Sequence, residues 1–350
     1  MAVRRAAFVP DTIWVDGPDG WMVPLRRDDD PETWSALAES SDPVAIQVDD
    51  GERPDKGILP TSSNTAAWLV DRMLTLLNVR EGMDVLEIGT GTGYNAALLA
   101  ERTRTGRVTT IEIDPTIAGH ARQALRRNNY PVTVIIGDGI LGYPERAPYD
   151  RIIATAAAAT IPYAWVEQTR PAGRILLPLA ATFHHGALLA VTVHGDGTAH
   201  GRFHGEAPFI RLRNHRPTRF HRQTADGARV TTTQLYPRQP FTDFDAGFAI
   251  GTRLPDCITG QRGDDDTATL LLSHPASRSW ASLTPGTTAH EVRQYGPRRL
   301  WDDLETAYRW WTDAGRPDHT RIGITVTPEG QTFWLDTPEH PLPAIQGPAV

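Results

Sequence analysis

The residues best placed to do chemistry lie in Val85-Leu86-Glu87-Ile88-Gly89-Thr90-Gly91-Thr92-Gly93-Tyr94, an apolar run broken by three alternating glycines and followed by helix-forming residues. A strand that turns directly into a helix presents backbone amides to a nucleotide-like ligand, and glycines let the backbone approach that ligand closely. Glu87 on the strand can take an ammonium group directly or through water. Glu112 ends the next strand, where a carboxylate can accept both hydroxyls of a ribose. Asp138-Gly139 closes a further strand, a usual position for contacts to an adenine amino group. An ammonium, a ribose and an adenine together describe S-adenosylmethionine. The spacing G-x-G-x-G lacks the G-x-x-G ending of the dinucleotide fingerprint, so NAD fits less well. The expected cofactor set is Glu87, Gly89, Thr90, Gly91, Gly93, Tyr94, Glu112, Asp138 and Gly139.

These groups converge only if strands and helices alternate around them. Apolar spacing predicts a helix through Ala66, Leu69, Val70, Met73 and Leu77, with Ser63 or Asn64 as its cap. Strands follow at Asp84–Ile88, Val108–Ile113, Val132–Ile136, Arg151–Thr155 and Arg174–Leu177. Helices are expected at Tyr94–Arg102, Pro115–Arg127 (capped by Asp114, with proline at its first position) and Pro162–Gln168. This alternation implies a Rossmann-like parallel sheet with helices on both faces. Ala187–His194 and the turn Gly195-Asp196-Gly197 read as a hairpin at the sheet's edge.

Four segments appear in the order that protein-L-isoaspartate O-methyltransferases show: LEIGTGTGYNAALLA at Leu86–Ala100, GDG at Gly137–Gly139, APYDRIIATAA at Ala147–Ala157 and RPAGRILLPL at Arg170–Leu179. The chain resembles that family over residues 57–213, and Phe8-Val9-Pro10 is similar to the family's N-terminal FVP. The resemblance implies a class I S-adenosylmethionine-dependent fold and a carboxylate acceptor on an aspartyl or isoaspartyl residue of a polypeptide. Thr61-Ser62-Ser63 looks like the family's T-I-S element. By that match Ser63 is the substrate-side hydroxyl, although Asn64-Thr65 stands where the family has a residue followed by proline. An ionised carboxylate needs no general base, so alignment is the main task, and positioning can supply roughly 7–11 kcal/mol in favourable cases. Ser63 and Thr61 are the candidates for catalysis, and Ser62, Thr155 and Ala156 for holding the acceptor.

The remaining features bound the reading. A chain of 350 residues with 40% apolar composition suits more than one domain, and its formal charge of -7 argues against a generic nucleic-acid partner. The lone Cys257 forms no internal disulfide, and neither a secretory leader nor a membrane-spanning run is evident, so a soluble cytoplasmic protein is expected. His184-His185 reads as a loop, and Asp28–Asp30 and Asp264–Asp266 as solvated turns, so no metal site is expected. Residues 1–56 read as an irregular N-terminal extension with a short helix near Pro31–Leu37. Residues 214–350 read as a smaller α+β domain with strands at Thr269–His274, Trp280–Thr284, Ile322–Thr327 and Thr332–Asp336, and a helix marked by Leu300, Leu304, Ala307, Tyr308 and Trp311. The junction holds Arg211, Arg213, Arg216, Arg219 and Arg222 within an acidic protein; it reads either as a solvated linker or as a groove for an acidic peptide, with Arg216, Arg219 and Arg222 the candidates for the latter.

Family members with an added C-terminal region include enzymes that tailor ribosomally synthesised precursor peptides, methylating an ordinary aspartate on the way to aspartimide. That use is the favoured expectation. Repair of L-isoaspartyl residues, a small-molecule carboxylate acceptor, and a non-catalytic peptide-binding role are the alternatives.

Overall fold

The structure is a computed structural model that describes residues 3–217, 227–235, 239–263 and 267–345. The chain starts with a four-stranded antiparallel sheet of β1 (Thr12–Asp16), β2 (Met22–Arg26), β3 (Val44–Val48) and β4 (Pro60–Asn64), in the order β2-β1-β3-β4. Helix α1 (Pro31–Glu39) packs beside it, with Asp30 Oδ1 accepting from the Thr33 amide at 3.0 Å. The expected irregular extension is therefore an ordered layer. Asp19, Asp49 and Asp50 take positive φ in tight turns between the strands, while Ile13, Trp34, Val44 and Val48 are buried.

The central sheet follows with β5 (Val85–Ile88), β6 (Val108–Glu112), β7 (Thr133–Ile136), β8 (Tyr149–Ala154), β9 (Thr169–Ala181), β10 (His184–Val193) and β11 (Ala199–Glu206). Between them lie α2 (Ala67–Leu77), α3 (Tyr94–Thr103), α4 (Pro115–Arg127) and α5 (Tyr163–Glu167). Strands β7, β6, β5, β8 and β9 are parallel neighbours, and β10 and β11 extend the sheet antiparallel. All four residues of β5 are buried, as a strand covered on both faces requires. Two local expectations change. Helix α2 is capped by Ala66 without a side-chain bond, because Ser63 and Asn64 are held in β4. His184 and His185 open β10, where β9 turns back on itself, and are not loop residues.

After residue 217 the chain forms the additional α+β part. It comprises β12 (Arg229–Thr233), α6 (Gln239–Thr242), α7 (Phe244–Arg253), β13 (Ile258–Arg262), β14 (Thr269–His274), β15 (Ser279–Thr284), β16 (His290–Tyr295), α8 (Leu300–Asp313), β17 (Ile322–Thr327) and β18 (Gly330–Leu335). Strands β12 to β16 make a separate five-stranded sheet, but β17 and β18 do not belong to it. They return to the central sheet, where β17 pairs with β11 from Ala199↔Val326 to Arg202↔Gly323, giving nine strands in all. The expected boundary at Asn214 thus divides the sequence but not the packing. Leu177, Val191 and Phe203 share one apolar cluster with Phe248, Trp301, Leu304, Ile322 and Ile324. Among the described residues no helix is long and apolar enough to cross a membrane.

Candidate active site

A cavity of about 990 Å³ opens between the carboxyl ends of β5, β6 and β8 and the N-terminal sheet. Strand order reverses between β5 and β8, and the crevice above such a reversal is where open α/β sheets bind ligands. The turn from β5 into α3 shapes the floor. Gly89, Gly91 and Gly93 take φ of 92°, 53° and 85°, a region that side chains with a Cβ rarely occupy. Strand β4 lies over this turn, since a side-chain carbon on Gly91 would stand 3.5 Å from the Ser63 carbonyl oxygen. Gly139 is glycine for a packing reason, because a Cβ there would lie 2.4 Å from Ile88 Cγ2.

Glu112 lines the cavity at the end of β6, and its carboxylate accepts from the Gly91 amide at 3.0 Å and the Asp114 amide at 3.1 Å. These two bonds fix the carboxylate beside the glycine turn. Burial is the main cause that raises its pKa above the usual carboxylate value, with those amide bonds opposing. Asp138 does not line the cavity; it accepts from the Ile140 amide at 3.0 Å and from Asn214 Nδ2 at 2.7 Å, while its neighbour Gly139 faces the cavity. Thr90 and Tyr94 line the cavity wall as well.

Glu87 lies beneath the cavity and not on its wall. It is fully buried, accepting from Asn95 Nδ2 at 2.7 Å and Thr110 Oγ1 at 2.6 Å, and Thr110 bonds in turn to Thr90 Oγ1 at 2.7 Å. Asn95 and Thr90 line the cavity, so Glu87 reaches a ligand by hydrogen bonds through Asn95 directly or through Thr110 and Thr90. Burial pushes the Glu87 carboxyl up to about 7, against the pull of its two hydrogen bonds. A raised carboxyl pKa means that the folded state holds a proton the unfolded chain releases. The Glu87 contribution is therefore fully present below the unfolded value of 4.5 and is lost as pH rises through about 7. We expect the stability of the wild type relative to Glu87→Gln to fall, by on the order of 3 kcal/mol, between pH 4.5 and pH 7. Denaturant unfolding of both proteins across that window checks this, and a difference that does not change with pH would contradict it.

On the acceptor side, Thr61, Ser62, Ser63, Thr155 and Ala156 all line the same cavity. Their capacities differ. The Thr61 hydroxyl donates to Gln47 Oε1 at 3.0 Å and accepts from the Asp50 amide at 2.9 Å, which braces the turn after β3. The Thr155 amide donates to the Ile88 carbonyl at 2.9 Å and its hydroxyl to the Gly89 carbonyl, so Thr155 shapes the turn and offers no free amide. The Ala156 amide and the Ser62 and Ser63 hydroxyls have no hydrogen-bond partner among the described residues.

Several contributors escape a sequence reading. Asp50 receives Arg213 at 3.1 Å and Arg216 at 2.6 Å, while Asp114 receives Gln47 Nε2 at 3.0 Å and Arg213 at 3.4 Å. The Arg216 hydrogen bond is the largest cause holding Asp50 below the usual carboxylate range. Together these contacts tie the N-terminal sheet to the junction across the cavity mouth. Nothing local marks the side chains of Gln47 or Asp50 for this role, since their partners at the cavity mouth, Asp114 and Arg216, lie more than 60 residues away. Asn95 lies within the segment Leu86–Ala100, and its position as the second residue of α3, just after the glycine turn, is the available signal. Arg219, Arg222 and Asp264–Asp266 lie outside the described residues.

The model of the family described as Protein-L-isoaspartate(D-aspartate) O-methyltransferase matches residues 54–216. The Protein-L-isoaspartate O-methyltransferase of Thermococcus onnurineus (strain NA1) is 41% identical over 150 residues, covering 42% of this chain and 68% of the relative. Protein-L-isoaspartate O-methyltransferase 2 of Archaeoglobus fulgidus (strain ATCC 49558 / DSM 4304 / JCM 9628 / NBRC 100126 / VC-16) is 41% identical over 151 residues, with coverage of 43% and 68%. A solved structure titled Protein-L-isoaspartate O-methyltransferase shares the fold at a TM-score of 0.51 and 20% identity, over 87% of this chain and 89% of that one. The fold likeness therefore reaches well beyond the residues the family model matches. With the glycine turn, Glu112 and Gly139 gathered at the switch point of a class I sheet, the chain belongs to the protein-L-isoaspartate O-methyltransferase family and is an S-adenosylmethionine-dependent carboxyl methyltransferase of that type.

Proposed function

We propose that the enzyme methyl-esterifies the free α-carboxylate of L-isoaspartyl residues in polypeptides. The observation that carries this reading is the placement of Ser62 and Ser63 on β4 directly over the glycine turn, within one cavity that also holds Glu112. The residues present suit S-adenosylmethionine: Glu112 would take the ribose hydroxyls, Gly139 would leave room for the adenine, and Asn95, backed by Glu87, would meet the amino-acid end. When bound, the cofactor would supply an electrophilic methyl group for transfer to the acceptor oxygen, with the thioether as the leaving group. The acceptor enters ionised, so no residue has to remove a proton. What the protein does is hold one carboxylate oxygen in line and keep water out of the path. The Ser63 hydroxyl and the Ala156 amide are the groups we assign to the acceptor.

Methyl transfer from labelled S-adenosylmethionine to a short isoaspartyl peptide, with the matched aspartyl peptide as control, tests this function. Transfer to the isoaspartyl peptide at least 100-fold more efficient than to the control is expected, and equal use of both would defeat the reading. Ser63→Ala is expected to lower kcat/KM for the peptide by about 10- to 100-fold, the worth of roughly 1.5–3 kcal/mol for a hydrogen bond to a charged group. Its S-adenosylmethionine affinity should stay within twofold by calorimetry, and a parallel loss of both would assign Ser63 to the fold instead.

A second reading, tailoring of a ribosomal precursor peptide by methylation of an ordinary aspartate, draws support from the residues after 216, where the family model ends and the arginine-rich junction leads into the α+β part. In that reading residues 214–350 recognise the peptide, and Arg219 and Arg222 meet its acidic groups, Arg216 being held by Asp50. Its signature is product mass: methylation of one defined aspartate, followed by loss of methanol to a lasting aspartimide.

A further inference from the structure

Three arginines of the junction, Arg211, Arg213 and Arg216, line the active-site cavity, and they are not equivalent. Arg213 and Arg216 are neutralised by Asp50, and Arg213 also by Asp114. Arg211 has no carboxylate within ion-pair distance among the described residues; its one recorded bond runs from Nη2 to the Ala181 carbonyl at 2.5 Å. A guanidinium carries five N–H donors in a planar fork, so most of its capacity is unspent.

The backbone fixes where this cation stands. The Ala157 amide donates to the Ile210 carbonyl at 2.8 Å and the Leu212 amide to the Ala157 carbonyl at 2.9 Å, so Arg211 is bridged to Ala157 as a short parallel extension beside the end of β8. The backbone of Arg211 thus sits one residue from Ala156 and two from Thr155, and all three line the cavity that Ser63 also lines. The side chain is half-buried, and burial alone holds its pKa below the ordinary arginine value, which is the mark of a cation without a resident counter-charge. A partly desolvated, unpaired guanidinium is costly unless an anion completes it, and carboxylate is the anion that matches its geometry.

Building on the isoaspartyl reading above, we propose that Arg211 binds the acceptor carboxylate itself, pairing with the oxygen that is not methylated. The substrate enters as an anion and leaves as a neutral ester, so the same cation that captures the acceptor loses its attraction for the product. Arg211 is then a specificity residue for a charged acceptor and an aid to product release, and it makes no contact with the cofactor.

The test compares two peptides on the full-length protein loaded with S-adenosylhomocysteine, measured by calorimetry. One carries isoaspartate and the other the matching isoasparagine, whose α-carboxamide has the same shape without the charge. The wild type is expected to prefer the carboxylate at least tenfold, Arg211→Gln to bring that preference to about one, and Arg211→Lys to restore part of it. S-adenosylhomocysteine affinity should be unchanged in both variants. Steady-state kinetics should show a raised KM for the isoaspartyl peptide in Arg211→Gln, with kcat falling less. A carboxylate preference that survives in Arg211→Gln overturns the assignment, and so does loss of the preference with loss of S-adenosylhomocysteine binding in both variants. Absence of methyl transfer to any isoaspartyl peptide by the wild type would instead overturn the isoaspartyl reading on which the assignment stands.

Discussion

Replacing Glu112 with alanine is expected to lower S-adenosylmethionine affinity by at least about 100-fold while leaving the protein folded. Two hydrogen bonds from ribose hydroxyls to a carboxylate contribute roughly 1.5–3 kcal/mol each, and each 1.4 kcal/mol is a factor of ten in affinity. The carboxylate is held at both oxygens, Oε2 by the Gly91 amide and Oε1 by the Asp114 amide. That clamp also makes glutamine a poor substitute, since an amide has one acceptor oxygen and its NH₂ would face one of the two backbone donors. Glu112→Gln should therefore also lose affinity, by about tenfold or more. Calorimetric titration with S-adenosylmethionine, alongside a thermal melt to establish folding, decides the point. Binding in Glu112→Ala within threefold of wild type would remove Glu112 from the ribose site.

A chain ended at Pro217 is expected to fail to fold, although the family model is complete by that position. Ending there strips β17 from β11 and exposes an edge strand that the full chain covers. It also removes Phe248, Trp301, Leu304, Ile322 and Ile324 from the cluster that contains Leu177, Val191 and Phe203. At roughly 1.5–3 kcal/mol for each large apolar side chain, five such losses approach or exceed the 5–15 kcal/mol that holds a typical domain together. The shortened protein should be recovered insoluble, or as a species that binds hydrophobic dyes and melts without a cooperative transition. A soluble, cooperatively melting product that binds S-adenosylmethionine would show instead that Asn214 is a true boundary.

How much of this was legible beforehand differs from element to element, and the differences have physical causes. The helix from Pro115 to Arg127 could be read because its determinants are local. Proline stands at the first position and Asp114 accepts from the Thr116 and Ile117 amides, as a cap must. The strand β5 and its turn could be read for the same reason, since an apolar run and three glycines at positive φ need only their neighbours to be recognised. The N-terminal sheet could not. Its strands are five residues long, and β1 and β3 are joined through a single recorded pair, Trp14↔Ala45, across some 30 residues. Arg5 completes that layer by donating to the carbonyls of Ser40, Asp42 and Asn64, a role no local pattern announces. The C-terminal strands were visible as strands, but no sequence pattern says which sheet a strand will join.

The sequence by itself determined the frame of the cavity floor: glycine spacing, Glu112 at the end of its strand, and alternating helices and strands are encoded over short stretches, where periodicity and turn chemistry act directly. Tertiary structure alone decided what each charged group is free to do. It buried Glu87 beneath Asn95 and Thr110, spent Thr61 on a turn, paired Arg213 and Arg216 with Asp50, and left Arg211 without a carboxylate among the described residues. Whether a polar side chain serves a ligand or the fold depends on partners brought from tens of residues away and on how far both are taken from water, and neither is written in the spacing of the chain.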